Sequence, residues 1–190
     1  MTNNNKIVII GGGLAGCEAA YQISKFDINV DLYEMRPKIK TEAHQTKYLA
    51  ELVCSNSFRS DDKEYNAVGV LHEELRIADS LIMKSADHNK VPAGSALAVD
   101  RDNFSKEINK TIKSIPNINI INQEVRSLDE FKNQIIIVST GPLTSKTLTE
   151  SIKIKTSENS LAFYDAIAPI VYEETIDMSV AWKQSRYDKG

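Results

Sequence analysis

The amino-acid sequence predicts an α/β fold built on a parallel, doubly wound sheet, and three features carry that prediction. Lys6–Ile10 (KIVII) is a short apolar run that ends abruptly in three glycines. Leu14–Phe26 follows with Ala15, Ala19 and Ile23 at helical spacing, and Asn29–Glu34 (NVDLYE) returns to strand character. A strand, a glycine turn, a helix and a strand within about thirty residues form a βαβ unit, whose crossover brings the chain back parallel to its first strand.

The rest of the chain is consistent with that class. Met35–Asp62 is a long polar stretch, too long for an ordinary connection, and it predicts a ligand-contacting loop with a short helix. Glu64–Met83 has Val70, Leu71, Leu75, Ala78 and Leu81 at three- to four-residue steps and predicts one helix. Lys90–Asp100 predicts a turn and a strand, and Asp102–Ser114 a helix with Asp102 as its N-cap. Strands are predicted over Ile118–Leu128 and Gln134–Thr140, a helix near Ser145–Ser151, and short strands around Ala162 and Ile170. The expected division is a dinucleotide-binding domain over 1–142 and the start of a second, incomplete region over 143–190.

Composition narrows the function classes. The 190 residues are 42% hydrophobic, enough for one real core. A formal net charge of -3 does not describe a strongly basic nucleic-acid binder, although a local basic face is enough to steer RNA. Cys17 and Cys54 supply neither a disulfide framework nor a metal-ligand cluster, so no metal is expected. The N-terminus lacks signal-peptide character, and no run approaches the ~20 apolar residues of a membrane span. A soluble, cytoplasmic protein is the expectation.

The chemistry starts at Gly11-Gly12-Gly13-Leu14-Ala15-Gly16, which matches G-x-G-x-x-G between a strand and a helix. In that motif Gly11 permits the tight turn, Gly13 lets the backbone approach a pyrophosphate, and Gly16 lets the helix pack closely on the sheet. The helix N-terminus offers free N–H groups and partial positive charge to the phosphates. Glu34, at the end of the second strand, is placed to accept hydrogen bonds from ribose hydroxyls. The motif alone is weak; its strand–turn–helix setting and the answering carboxylate make it specific for the ADP half of a dinucleotide. Met35 and Arg36 follow, and Arg36 would stack on adenine or pair with a 2′-phosphate, or else lie solvated at the surface. FAD is favoured over NAD on two counts. Ile136–Gly141 ends in Thr140-Gly141, similar to the second signature of flavoproteins with two dinucleotide-binding domains. Val125 lies where such proteins present backbone to adenine.

Several longer segments carry a more restrictive resemblance: VIIGGGLAG (8–16), YEMRP (33–37), HQT (44–46), ELVCSNSFR (51–59), VPAGSALAVDRD (91–102), FYDAIAPIV (163–171) and SRYDKG (185–190). With these, the chain resembles the bacterial folate- and FAD-dependent tRNA uracil-C5 methyltransferases along essentially its whole length. The resemblance implies a Rossmann-like FAD/NAD(P)-binding domain of the two-dinucleotide-binding-domain flavoprotein type. It implies that NAD(P)H reduces the flavin, and that 5,10-methylenetetrahydrofolate supplies a one-carbon unit delivered through the flavin to C5 of a T-loop uridine in tRNA. Members of the family are usually more than twice as long, so an N-terminal, apparently truncated portion is expected, and activity of this portion alone is in doubt.

The resemblance places Cys54 near the flavin ring, as the thiol that attacks uracil C6 or as a guard of the flavin; otherwise it is an inert packed thiol. Asn56 and Ser57 would donate hydrogen bonds to flavin or phosphate, or merely shape turns. His44 would position the flavin or relay a proton, against the plain alternative of an exposed loop histidine. Cys17, one residue past Gly16, is read as structural. Competing readings are a flavoprotein acting on ribosomal RNA, the related flavoprotein of the tRNA wobble uridine, whose loop differs from Cys-Ser-Asn-Ser, and a non-catalytic nucleotide-binding remnant.

Overall fold

The computed structural model describes residues 6–157 and 173–182. Strand β1 (Lys6–Ile10), helix α1 (Leu14–Ser24) and strand β2 (Asn29–Tyr33) form the βαβ unit read from the sequence. β6 (Ile118–Ile121) and β7 (Ile135–Val138) complete a four-stranded sheet in the order β6-β2-β1-β7, with every neighbouring pair parallel. Ile9 stands opposite Leu32 on one side and Ile137 on the other.

Alternation along β1 divides the core between the two faces of the sheet. Ile9 joins Cys17 and Ala20 of α1 and Phe104, Ile108 and Ile112 of α4 (Arg101–Ser114). Val8 and Ile10 point the other way, onto Val125, Phe131 and Leu148. Each such buried aliphatic side chain contributes roughly 1.5–3 kcal/mol, so a sheet covered on both faces needs the nearly unbroken apolar strands seen here. Leu148 lies on α5 (Lys146–Thr156), so this helix packs on the same sheet as the residues before Gly141.

Between β2 and β6 the chain builds a second, antiparallel sheet of β3 (Ser57–Ser60), β5 (Ala96–Val99) and β4 (Lys90–Val91), with α2 (Ala67–Ile77) and α3 (Leu81–His88) beside it. The expected short helix within 35–62 is therefore replaced by strand β3. The single helix expected over 64–83 is two helices. Asp79 takes a left-handed conformation (φ +61°), and Ser80 restarts the chain by accepting a hydrogen bond from the Met83 amide (3.2 Å) and donating to Glu18 (2.8 Å). The apolar spacing runs through this break, which is why periodicity alone missed it.

Two further boundaries differ. The N-cap of α4 is Asp100, whose carboxylate accepts from the Asn103 amide at 2.9 Å; Asp102 lies inside the first turn. β6 stops at Ile121 instead of reaching Leu128. A short 3-10 turn, Leu128–Phe131, follows, capped by Ser127, whose side chain accepts from Asp129 N while its own amide donates to Glu130. The short strands expected around Ala162 and Ile170 lie outside the described residues. Among the described residues no helix is long and apolar enough to cross a membrane, and no cluster of His, Cys, Asp and Glu could hold a metal ion.

Candidate functional site

The strand order reverses at β1: the chain steps outward to β2 and β6, then returns to the opposite side of β1 as β7. Two connections leaving in opposite directions open a crevice at the carboxyl ends of the strands, the place where open α/β sheets take ligands. A cleft open to solvent lies there. The carboxyl ends of all four strands contribute to it, through Gly11–Gly13, Glu34, Gln123–Val125 and Ser139–Thr140.

The glycine turn divides its tasks. Gly11 has φ +105°, a conformation L side chains rarely adopt, and its N–H donates to Tyr33 O at 2.8 Å. Gly16 approaches the turn so closely that a Cβ would lie 1.8 Å from Gly11 O and 2.7 Å from Ser139 Oγ. At Gly13 the opposite holds, since a Cβ there would meet no atom within 4 Å. The first bond within α1 runs from Cys17 N to Gly13 O (3.0 Å), so the amides of Leu14, Ala15 and Gly16 precede it without an intrahelical acceptor. With no acidic residue in that turn, the helix end stays positive in character. Open space over Gly13 beside free amides fits a pyrophosphate.

Glu34 lines the cleft and is bound to the turn. Its Oε2 accepts from Gly12 N (3.0 Å) and Arg36 Nη2 (3.2 Å), its Oε1 from Arg36 N (3.0 Å) and Arg36 Nε (2.9 Å). Burial alone would raise its pKa, but the hydrogen bonds and charge of Arg36 and the Gly12 amide outweigh burial and hold the carboxyl below its ordinary value. Arg36 is neither solvated nor in the cleft: it is 1% exposed, and its Nη1 donates to Glu51 Oε2 at 2.8 Å. Met35, Val125 and Thr140 line the cleft, as does His44, whose Nδ1 is 2.7 Å from Thr41 Oγ1. Burial, then the nearby Arg36 charge, lowers the His44 pKa and favours the neutral ring.

Other sequence-derived candidates lie elsewhere. Leu14, Ala15 and Gly16 contribute backbone beside the cleft and do not line it, and Gly141 (φ +61°) turns the chain just past Thr140. Cys54, Asn56 and Ser57 are not among the cleft residues. Cys54 is exposed, whereas Asn56 is pinned to β5, its Nδ2 donating to Val99 O (3.0 Å) and its carbonyl accepting from Val99 N (2.9 Å). Cys17 is fully buried, and burial pushes its thiol up to about 12, in keeping with a structural role. Sequence reasoning missed Ser139, whose hydroxyl donates to Ile10 O (3.0 Å) and Gly11 O (2.9 Å) and closes the turn against β7. It also missed Thr144 and Ser145 at the start of α5; the signal for Ser139 was a polar residue directly after an apolar strand, and for Ser145 its place as the helix N-cap.

Comparison with known proteins adds identity to this geometry. A family model described as glucose inhibited division protein A matches residues 6–190. The methylenetetrahydrofolate--tRNA-(uracil-5-)-methyltransferase TrmFO of Bartonella henselae is 59% identical over 183 residues, 96% of this chain and 39% of that protein. The protein of the same description from Jannaschia sp. is 55% identical over 190 residues, 100% of this chain and 41% of that protein. The chain thus spans well under half the length of these curated relatives. Among solved structures, GidA of Aquifex aeolicus superposes with a TM-score of 0.56 at 16% identity, over 72% of this chain and 25% of that one, a likeness of fold. From the match along nearly all of its residues, the chain belongs to the glucose inhibited division protein A family.

Proposed function

We propose that this chain forms the FAD-binding portion of a folate-dependent tRNA (uracil-C5) methyltransferase, with 5,10-methylenetetrahydrofolate as one-carbon donor and NAD(P)H as reductant. The observation that carries the reading is the cleft at the sheet's reversal point, where the open side of Gly13, the free amides of α1 and the Glu34 carboxylate converge. The names of the relatives at 55–59% identity support the methyl transfer.

FAD, when bound, supplies an electron-accepting and electron-donating ring through which a one-carbon unit can pass to the base. The chain's own residues do the holding. Leu14, Ala15 and Gly16 amides meet the pyrophosphate, with Gly13 keeping a side chain out of its way, Gly11 making the turn and Gly12 giving its amide to Glu34. Glu34 accepts from the ribose, and Met35 and Val125 border the adenine. Thr140 and Gly141 approach the cofactor from β7, and Asn56 and Ser57 from the second sheet. Cys54 is the nucleophile: its thiolate adds to uracil C6, placing electron density on C5, and leaves again once C5 has gained its substituent and lost its proton. Arg36 supports Glu34 instead of touching the cofactor.

Two measurements test this. The protein purified with FAD should carry the visible absorption of an oxidised flavin; colourless protein that cannot be loaded overturns the cofactor reading. Methyl transfer from labelled methylenetetrahydrofolate to unmodified tRNA transcript should occur with a full-length relative, and should be lost there when the cysteine matching Cys54 is replaced. Activity that survives that change removes Cys54 from the chemistry.

A further inference from the structure

The loop between β2 and β3 is wired to the glycine turn through one buried guanidinium. Gly12 O accepts from Ala50 N (2.8 Å), and Gly12 N donates to Glu34 (3.0 Å). Arg36 joins Glu34 at one end of its fork to Glu51 at the other, and the side chains of all three are nearly sealed from solvent. Glu51 in turn holds the backbone of the loop: its Oε1 accepts from Gln45 N (2.8 Å) and Thr46 N (3.1 Å). The next residue toward the N-terminus, His44, lines the cleft.

This arrangement is expensive for a mere loop anchor. Two buried carboxylates around one guanidinium pay desolvation for three charges, and apolar residues of similar volume would hold a loop as well. What the charged bridge adds is a response to the cleft. Glu34 already accepts four hydrogen bonds, two per oxygen, which fills the capacity of a carboxylate. A hydroxyl arriving from the cleft must displace a donor, and the longest of the four is Arg36 Nη2 at 3.2 Å. The freed Nη2 turns to Glu51, and a Glu51 carboxylate fixed by a second bond lets the Gln45 and Thr46 amides open less often.

We propose that Arg36 is a positioning residue, relaying the arrival of a ribose diol at Glu34 through Glu51 to the Gln45–Thr46 turn, and so setting His44 against the cleft. The proposal rests on the nucleotide reading of that cleft and adds to it a coupling between cofactor occupancy and loop order.

Hydrogen exchange at Gln45 and Thr46 reads the coupling directly. Saturation with ADP or FAD should slow exchange of these two amides about tenfold, the effect of fixing the carboxylate that holds them so that the turn opens less often. An ADP analogue lacking both ribose hydroxyls should bind without slowing them. In Arg36→Met, and in Glu51→Gln should the first variant fold poorly, bound nucleotide should leave their exchange unchanged. If ADP or FAD binds and the wild-type amides do not slow, the coupling is wrong while the cleft assignment stands. Slowing by the hydroxyl-free analogue, or persistent slowing in a folded variant, also overturns it. If neither nucleotide binds at all, the cleft reading fails and takes the coupling with it.

Discussion

The amide of Gly12 donates to Oε2 of Glu34 across 3.0 Å, tying the middle of the glycine turn to a carboxylate twenty-two residues further along the chain. The same carboxylate is held below its ordinary pKa of 4.5, chiefly because Arg36 and this amide overcome the cost of burying it. The sign follows. A carboxyl whose folded pKa lies below its unfolded one adds stability that is fully present above about pH 4.5 and is lost as pH falls through the folded value. Glu34→Gln should therefore cost roughly 2–3 kcal/mol at neutral pH by leaving Arg36 partly unpaired. It should also flatten the loss of stability on the acid side, measured as urea midpoints from neutral pH down to about pH 3. An acid limb as steep as that of the unmodified protein would refute the assignment.

Gly13 and Gly16 should respond oppositely to substitution. Gly16→Ala forces a Cβ into the Gly11 carbonyl, and overpacking of this kind against backbone should cost about 2–4 kcal/mol. Gly13→Leu enters open space at a φ of -76° that any residue adopts, so the melting temperature should hold. Nucleotide affinity should fall by at least about tenfold, because the side chain occupies the ground given to the pyrophosphate. Calorimetry with FAD or ADP, beside thermal melts, separates the two. Undiminished nucleotide binding by the Gly13 variant would move the site elsewhere.

The two thiols should be distinguishable by reagent. Cys54 is exposed and should react quickly in the native protein, while Cys17 is sealed and its thiol donates to Gly12 O at 3.4 Å. With its pKa raised to about 12, Cys17 should react only on unfolding. A thiol titration should count one group in buffer and two in denaturant; two fast thiols in buffer would mean that α1 does not sit on the turn as described.

Leu148 is nearly fully buried against Val8, Ile10 and Phe131. Leu148→Ala should cost about 2–5 kcal/mol if α5 is an integral cover of the sheet. A negligible loss in denaturant titrations would show that α5 stands apart from the fold that precedes it.

Much of this architecture was legible because its cause is local. The apolar run Lys6–Ile10, the glycine spacing and the carboxylate of Glu34 together define a turn only one backbone path can make, and the motif was readable for that reason. The helix break at Asp79–Ser80 was not, because Ser80 restarts the chain with help from Glu18, a residue of α1. Nor was the burial of Arg36. It opens a long polar stretch, and Glu51, which takes the other end of its guanidinium, lies fifteen residues away.

The sequence by itself determined the parallel βαβ start, the glycine turn and the family, since each depends on residue types at fixed short spacing. Only tertiary structure decided which polar side chains meet the cleft and which support it from beneath. Ser139, His44 and the Glu34–Arg36–Glu51 bridge take their roles from strands and loops brought together across the sheet. The physical reason is that a buried charge is placed by the partners that compensate its lost hydration, and those partners are chosen by the fold rather than by position in the chain.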